Sequence, residues 1–212
     1  MVLANILVGQ YMPVMLTKKA QQSAETREAI LSTCLGLFAR LGFANTSIDE
    51  IAQGAGITKG AVYWHFDNKE ALFEAILERI RARWQAAVLG PVSSEPDPRR
   101  QLERLFDCYC QLFTEAPEIC LFLQRVLLEN DGKFSRQVAK VFEKTAQFIS
   151  RILDAGRSEG QFRKDFDVRV MSRTIIASLA GSTQQCLADR SLTLRVLLAE
   201  VKRAVMGLVV RT

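Results

Sequence analysis

The stretch Ser47 to Phe66, SIDEIAQGAGITKGAVYWHF, decides the fold. Ser47 followed three residues later by Glu50 is a capping box, in which the hydroxyl accepts from the third helical N–H and the carboxylate reaches back to the cap amide. A helix is therefore expected to start at Ile48. Ile48, Ile51, Ala52 and Ala55 recur at helical spacing, and Gly56 can take the positive φ that closes a helix. Thr58 is a second N-cap. After it, Ala61, Val62 and Phe66 form an inward side, while Lys59, Tyr63, Trp64 and His65 face out or flank it. This is the pattern of a helix-turn-helix, with small Ala52 where the axes approach and the second helix free to enter a major groove.

Helical periodicity continues on both sides. From Ser23 onward, Ile30, Leu31, Leu35, Leu37, Phe38 and Leu41 form one broad apolar side, Glu25 and Glu28 suit its N-terminal end, and Gly42 stops it. Asp67 or Asn68 caps a longer helix through Leu72, Phe73, Ile76, Leu77 and Ile80 toward Trp84 and Val88. The segment GPVSSEPDP, residues 90–98, reads as a loop. Four helical stretches follow: Pro98 to Ala116, Glu118 to Asn130, Phe134 to a stop at Gly156 and Gly160, and Asp167 to Leu187. Leu194 to Val210 supplies the last. No strand alternation persists and no internal repeat is found. The expected architecture is all-α, with an extension over 1–22, a three-helix reading unit over 23–70 and a larger helical bundle over 71–212.

The motif, with the preceding helix and the following DNKEAL, closely resembles the DNA-binding domain of tetracycline-repressor (TetR/AcrR-type) regulators. The similarity runs over roughly residues 25–75 and includes Val62-Tyr63-Trp64-His65-Phe66 and then Asn68-Lys69. Two positions depart from it. Ala61 stands where many members carry a hydroxyl, and Asp67 where many carry a lysine. The resemblance implies that Tyr63 and His65 contact phosphates, that Trp64 lies beside them, and that Lys69 with its helix N-terminus binds a phosphate, as Ser47 does on the other flank. Thr58, Lys59, Gly60 and Ala61 form the tip of the reading helix, with Gly60 letting the backbone approach the duplex. The plainer reading makes Tyr63 and Trp64 packing residues and Lys59 a solvated charge.

Composition narrows the alternatives. The 212 residues carry 28 Lys+Arg against 23 Asp+Glu, a net +5, so any polyanion specificity must come from where the cations sit. Five cysteines, with no paired metal spacing and an odd number, argue against a closed disulfide set and fit a reducing cytoplasm. Cys108 and Cys110 fall on different sides of a helix, which suits packing better than redox sensing. Residues 1–16 are apolar but match neither a secretory signal nor a spanning helix, leaving Met12 or Met15 as an alternative start beside a loosely attached extension. His65 is the sole histidine and has no nucleophile or second ligand beside it, so neither catalysis nor a metal is expected. GAGITKG lacks the preceding strand of a phosphate loop. No cofactor is expected.

In the bundle, Phe106, Tyr109, Phe113, Phe122, Phe142 and Phe148 exceed what a tight leucine core needs. The resemblance implies a cavity for an apolar or aromatic ligand, with Gln124, Arg125 and Thr145 as polar contacts; an ordinary filled core is the alternative. Ala177 with Gly181, Ser178 with Ser182, and the stripe Leu194, Leu197, Leu198, Val201, Val205 and Leu208 suit a four-helix homodimer interface, or packing within one chain. A two-fold dimer implies a pseudo-palindromic operator with half-sites about 34 Å apart. The expected function is a ligand-responsive regulator, a repressor in the first instance. A protein- or membrane-binding module using RIRARW, residues 79–84, is the alternative.

Overall fold

The computed structural model describes residues 18–129 and 132–211. The expectations for the apolar start and for Met12 or Met15 lie outside the described residues. The elements are α1 (Lys18–Leu41), α2 (Ile48–Ala55), α3 (Lys59–His65), α4 (Lys69–Trp84), a π-helical turn (Gln85–Leu89), α5 (Gly90–Ser93), α6 (Pro98–Glu115), α7 (Pro117–Glu129), α8 (Lys133–Ser158), α9 (Val168–Ala188) and α10 (Leu194–Val209). Among the described residues the one β-type pairing is a single bridge between Phe162 and Val210. The all-α expectation is met.

Two boundaries differ from the sequence reading. Helix α1 begins at Lys18, so residues 18–22 belong to it and not to an extension. Lys, Ala and Gln there are strong helix formers, and Gln21 Nε2 reaches Glu25 Oε1 at 3.2 Å one turn on. The expected loop over 90–98 is helical up to Ser93, because α4 runs on through the π turn into α5. Gly90 N–H donates to Gln85 O, and this wider turn falls just before Pro91, whose ring and missing N–H would disrupt an ordinary α ladder. Gly156 likewise does not end its helix. The Phe162 ring lies where a Cβ at Gly156 would stand, so the glycine admits an aromatic side chain and α8 continues to Ser158.

The core is continuous from the reading unit into the bundle. At its centre Phe38 of α1 lies 5.3 Å from Phe43, 6.4 Å from Phe73 of α4 and 6.4 Å from Phe122 of α7, centroid to centroid. Phe73 stacks on Phe134 of α8 at 3.9 Å. Each such ring contributes about 2–3 kcal/mol by burial, so the junction is a rigid joint rather than a linker. Helix α4, about 24 Å long at 1.5 Å per residue, serves both parts. Leu72, Phe73, Ile76 and Leu77 bury against α1 and its neighbours, and Ile80 and Trp84 extend into the bundle. A division at residue 70 cuts this rod after its second residue.

Helices α9 and α10 pack on each other. Leu194, Leu198 and Val205 are buried within the protomer, so these three do not face a partner as expected, and Val201 is half-buried. Intrachain packing against α6 and α9 takes that stripe. Elsewhere on these two helices Val170 and Ala177 of α9 and Val196 and Leu208 of α10 are exposed, and Gly181 is half-exposed with nothing within 4 Å of a Cβ built on it.

Candidate nucleic-acid interface and ligand cavity

The reading unit is fixed by its caps. Ser47 Oγ accepts from Glu50 N–H at 3.2 Å while Glu50 Oε2 accepts from Ser47 N–H at 2.7 Å, and the Ser47 hydroxyl donates to the same carboxylate at 2.8 Å. These bonds to Ser47 hold the Glu50 carboxyl below its ordinary range. Gly56, at φ +67°, closes α2 with its N–H on Ala52 O and Gln53 O. Gly54 was not singled out by sequence, yet a Cβ there would lie 2.7 Å from Thr33 Cγ2, so it sets the approach of α2 to α1. Thr58 Oγ1 accepts from Ala61 N–H at 3.1 Å and starts α3. Val62 and Phe66 are buried as expected, which orients the rest of α3 outward.

That outward side holds Lys59, Gly60, Tyr63 and Trp64, all exposed, with His65 half-buried beside them; Ala61, expected to turn inward, is only half-buried. Trp64 is 72% exposed, far more than a packing role explains. Lys59 Nζ lies 2.8 Å from Asp49 Oδ2, and this exposed partner raises the lysine pKa. Such a pair is weak in water and yields readily to a phosphate. His65 stands at right angles to the Trp64 ring, 4.5 Å between centroids. Partial burial, and then the charge of Arg27, lower its pKa, so the imidazole is neutral at pH 7. Arg27 itself lies over the Phe66 ring at 5.0 Å and adds an exposed cation from α1 to the same flank; its place in an otherwise ordinary polar stretch gave no sequence signal.

Lys69 corrects an expectation. Its ammonium turns inward, donating to Phe43 O at 2.7 Å, Thr46 O at 2.9 Å and Ala44 O at 3.4 Å, and lying 4.4 Å from the Phe43 centroid. The carbonyls of the turn that follows α1 converge on the ammonium and hold it in charge-assisted hydrogen bonds. The side chain is a clamp between α4 and the α1–α2 turn. What α4 offers a phosphate is its N-terminal backbone, capped by Asn68 Oδ1 on Ala71 N–H at 2.8 Å.

In the bundle a cavity of about 500 Å³ opens between α4, α6, α7, α8 and α9, within the size range of ligand pockets. Of the candidate ligand residues, Tyr109, Phe113, Phe142 and Thr145 line it. Phe106, Phe122, Gln124 and Arg125 do not. Phe106 and Phe122 are core residues, the latter held in the aromatic joint. Gln124 donates to Ala180 O at 3.1 Å and to Cys120 Sγ at 3.2 Å. Arg125 binds Glu129 Oε1 at 2.8 Å and Leu41 O at 3.2 Å, tying α7 to the end of α1. Periodicity placed these four on a helix but could not say which neighbour each side chain meets.

The cavity wall is mostly apolar, and its interior polar groups satisfy one another. Tyr109 Oη bonds Thr183 Oγ1 at 3.1 Å, and Thr145 Oγ1 donates to Val141 O at 2.9 Å. Burial keeps the Tyr109 phenol and Cys120 thiol neutral by raising both pKa values. Gln137 differs. Its Nε2 donates to Glu74 Oε1 of α4 at 2.8 Å, while its buried Oε1 has no hydrogen-bond partner. An unmet buried acceptor in a cavity wall calls for a donor from whatever fills it. Among the described residues no group of three or more His, Cys, Asp or Glu side chains could hold a metal, and no helix is long and apolar enough to cross a membrane.

Residues 30–76 match the model of the bacterial regulatory proteins, tetR family. The chain is 31% identical over 99 residues to the uncharacterized HTH-type transcriptional regulator TtgW of Pseudomonas putida, covering 40% of this chain and 74% of that one. It is 27% identical over 180 residues, 79% of each chain, to the probable acrEF/envCD operon repressor of Escherichia coli (strain K12). The fold superposes at a TM-score of 0.72 and 16% identity on the transcriptional regulator FadR from Bacillus subtilis in complex with stearoyl-CoA, over 84% of this chain and 96% of that one. The chain belongs to the tetR family of bacterial regulatory proteins. It is a transcriptional regulator and not an enzyme, from a family whose members bind DNA operators and act as dimers.

Proposed function

We propose that this regulator is a homodimeric repressor that reads a pseudo-palindromic operator with α3 and releases it when a small, largely apolar molecule enters the bundle cavity. The observation that carries the reading is α4. Its capped N-terminus lies beside the reading helix, and its far end contributes Ile80, Arg81 and Trp84 to the cavity wall. A molecule that prefers one position of α4 therefore biases the placement of α3, and differential affinity for the two positions is what coupling requires. Lys59, Gly60, Tyr63, Trp64 and His65, with Ser47 and Thr58 at the two caps and Ala61 between, form the DNA surface. Ala177 and Gly181 on α9, together with Val196 and Leu208 on α10, form the dimer contact. Residues 23–70 act as the reading unit and 71–212 as the effector and dimer part, joined by one rod. The protein works in the cytoplasm, where its operator is.

The test is fluorescence anisotropy with duplexes tiled across the DNA flanking the gene, at several salt concentrations. Tight binding to one palindromic segment that weakens steeply with salt supports the reading. Equal, sequence-indifferent binding to all tiles overturns it in favour of a module that no longer reads DNA.

A further inference from the structure

We infer that the effector is an amphiphilic anion, a molecule with an apolar body and a carboxylate-type head. The inference rests on the proposal that the bundle cavity is the effector site, and it names the charge class that the site accepts.

Arg81, Lys140 and Lys144 line the cavity, and among the described residues no aspartate or glutamate does. All three are exposed, whereas Leu105, Tyr109, Leu112, Phe113, Ile149 and Leu179 are buried, so the cations form the mouth and the apolar groups the floor. Arg81 pairs with Glu78 at 3.0 Å, in an exposed i,i+3 pair of the kind that contributes little. Lys140 and Lys144 lie one turn apart on α8 and form no ion pair among the described residues. Glu143, between them in sequence, is taken by Arg173 of α9. Glu74 of α4, which does not line the cavity, accepts from Gln137 of the wall.

Like charges on one helix side are mildly unfavourable unless something compensates them. Here they border an apolar hollow whose low dielectric strengthens their pull on a negative head seated at the mouth. A cationic head meets the same field with the opposite sign and finds no carboxylate in the wall. A neutral molecule gains only from the floor. The arrangement also assigns a consequence. Arg81 belongs to α4 and the two lysines to α8, so an anion between them draws together two helices whose facing charges otherwise repel. Gln137, one turn before Lys140 on α8, offers its unmet oxygen to a hydroxyl or N–H on the same molecule.

The experiment uses the full chain and three probes that share one body: decanoate, 1-decanol and decylammonium. Isothermal titration gives each affinity, and operator release is followed in parallel. Decanoate should bind roughly tenfold tighter than decanol, the yield of one or two screened charge contacts, and decylammonium should bind weakest. The advantage of decanoate should shrink between low and high salt. In the Lys140→Gln/Lys144→Gln double variant the ratio of decanoate to decanol affinity should fall toward one, with thermal melting as the control for folding. If decanol or decylammonium binds as well as decanoate, or if the ratio survives the double substitution, the anion assignment is overturned while the cavity remains an effector site. If none of the three binds, the effector reading of the cavity falls and takes the anion with it.

Discussion

Gly60→Ala separates the fold from its use. Gly60 occupies the second position of α3 and is exposed, and a Cβ built there meets only Thr58 Oγ1, at 3.9 Å. Nothing in the free protein requires glycine. Alanine removes backbone freedom from the unfolded chain and favours the helix, a gain of about 0.5–1 kcal/mol. For a chain of this length that raises Tm by roughly 1–4 °C. Against DNA the sign reverses. The added methyl stands on the side of α3 proposed to enter the groove and holds the backbone away from the duplex. If each reading head loses about 1.4 kcal/mol, the affinity of that head drops tenfold, and a dimer carrying the substitution twice loses roughly a hundredfold. The assay pairs differential scanning calorimetry with anisotropy on the cognate operator. A variant that melts higher yet binds worse cannot be explained by misfolding. Operator affinity within twofold of the parent, with the raised Tm intact, would refute the placement of α3 in the groove.

Four further outcomes follow from particular contacts. His65 is held neutral in the free protein by partial burial and by Arg27. Because its folded pKa lies below the unfolded one, the native state binds fewer protons, so stability is full above pH 6.5 and declines as pH falls through that region. A phosphate beside the ring favours the proton, so operator affinity should increase from pH 8 to pH 6, and His65→Gln should abolish both slopes. Lys69→Ala removes the clamp on three carbonyls; charge-assisted bonds of this kind suggest a loss of about 1–3 kcal/mol, seen as a lower Tm. If instead Tm holds and only DNA binding weakens, the inward placement is refuted. Thr145→Phe fills part of the cavity and should leave a repressor that binds its operator but no longer responds to effector, measured as release in the anisotropy assay. Gly181→Arg has open space inside one protomer, so it should fold while sedimentation shows a monomer with weakened operator binding; a dimer of parental affinity would move the interface elsewhere.

The sequence by itself determined whatever depends on neighbours within a few residues. The Ser47–Glu50 box, the turn at Gly56 and the caps at Thr58 and Asp167 were legible, because each is a bond between near neighbours in sequence; at α4 the sequence left Asp67 or Asn68, and the cap is Asn68. So was the outward side of α3, since burying Val62 and Phe66 leaves the remainder no other direction. Only the tertiary structure decided what the long side chains meet. Lys69 and Arg125 look like free cations in the chain, yet Lys69 finds carbonyl oxygens of the α1–α2 turn and Arg125 the Leu41 carbonyl at the end of α1, more than twenty and more than eighty residues away in sequence. Phe122 and Phe113 are the same residue type on adjacent helices, but one completes the aromatic joint and the other lines the cavity. Helical periodicity gives the side of a helix on which a residue sits. Which element covers that side, and whether a hollow remains there, depends on how several helices cross, and no local pattern carries that information.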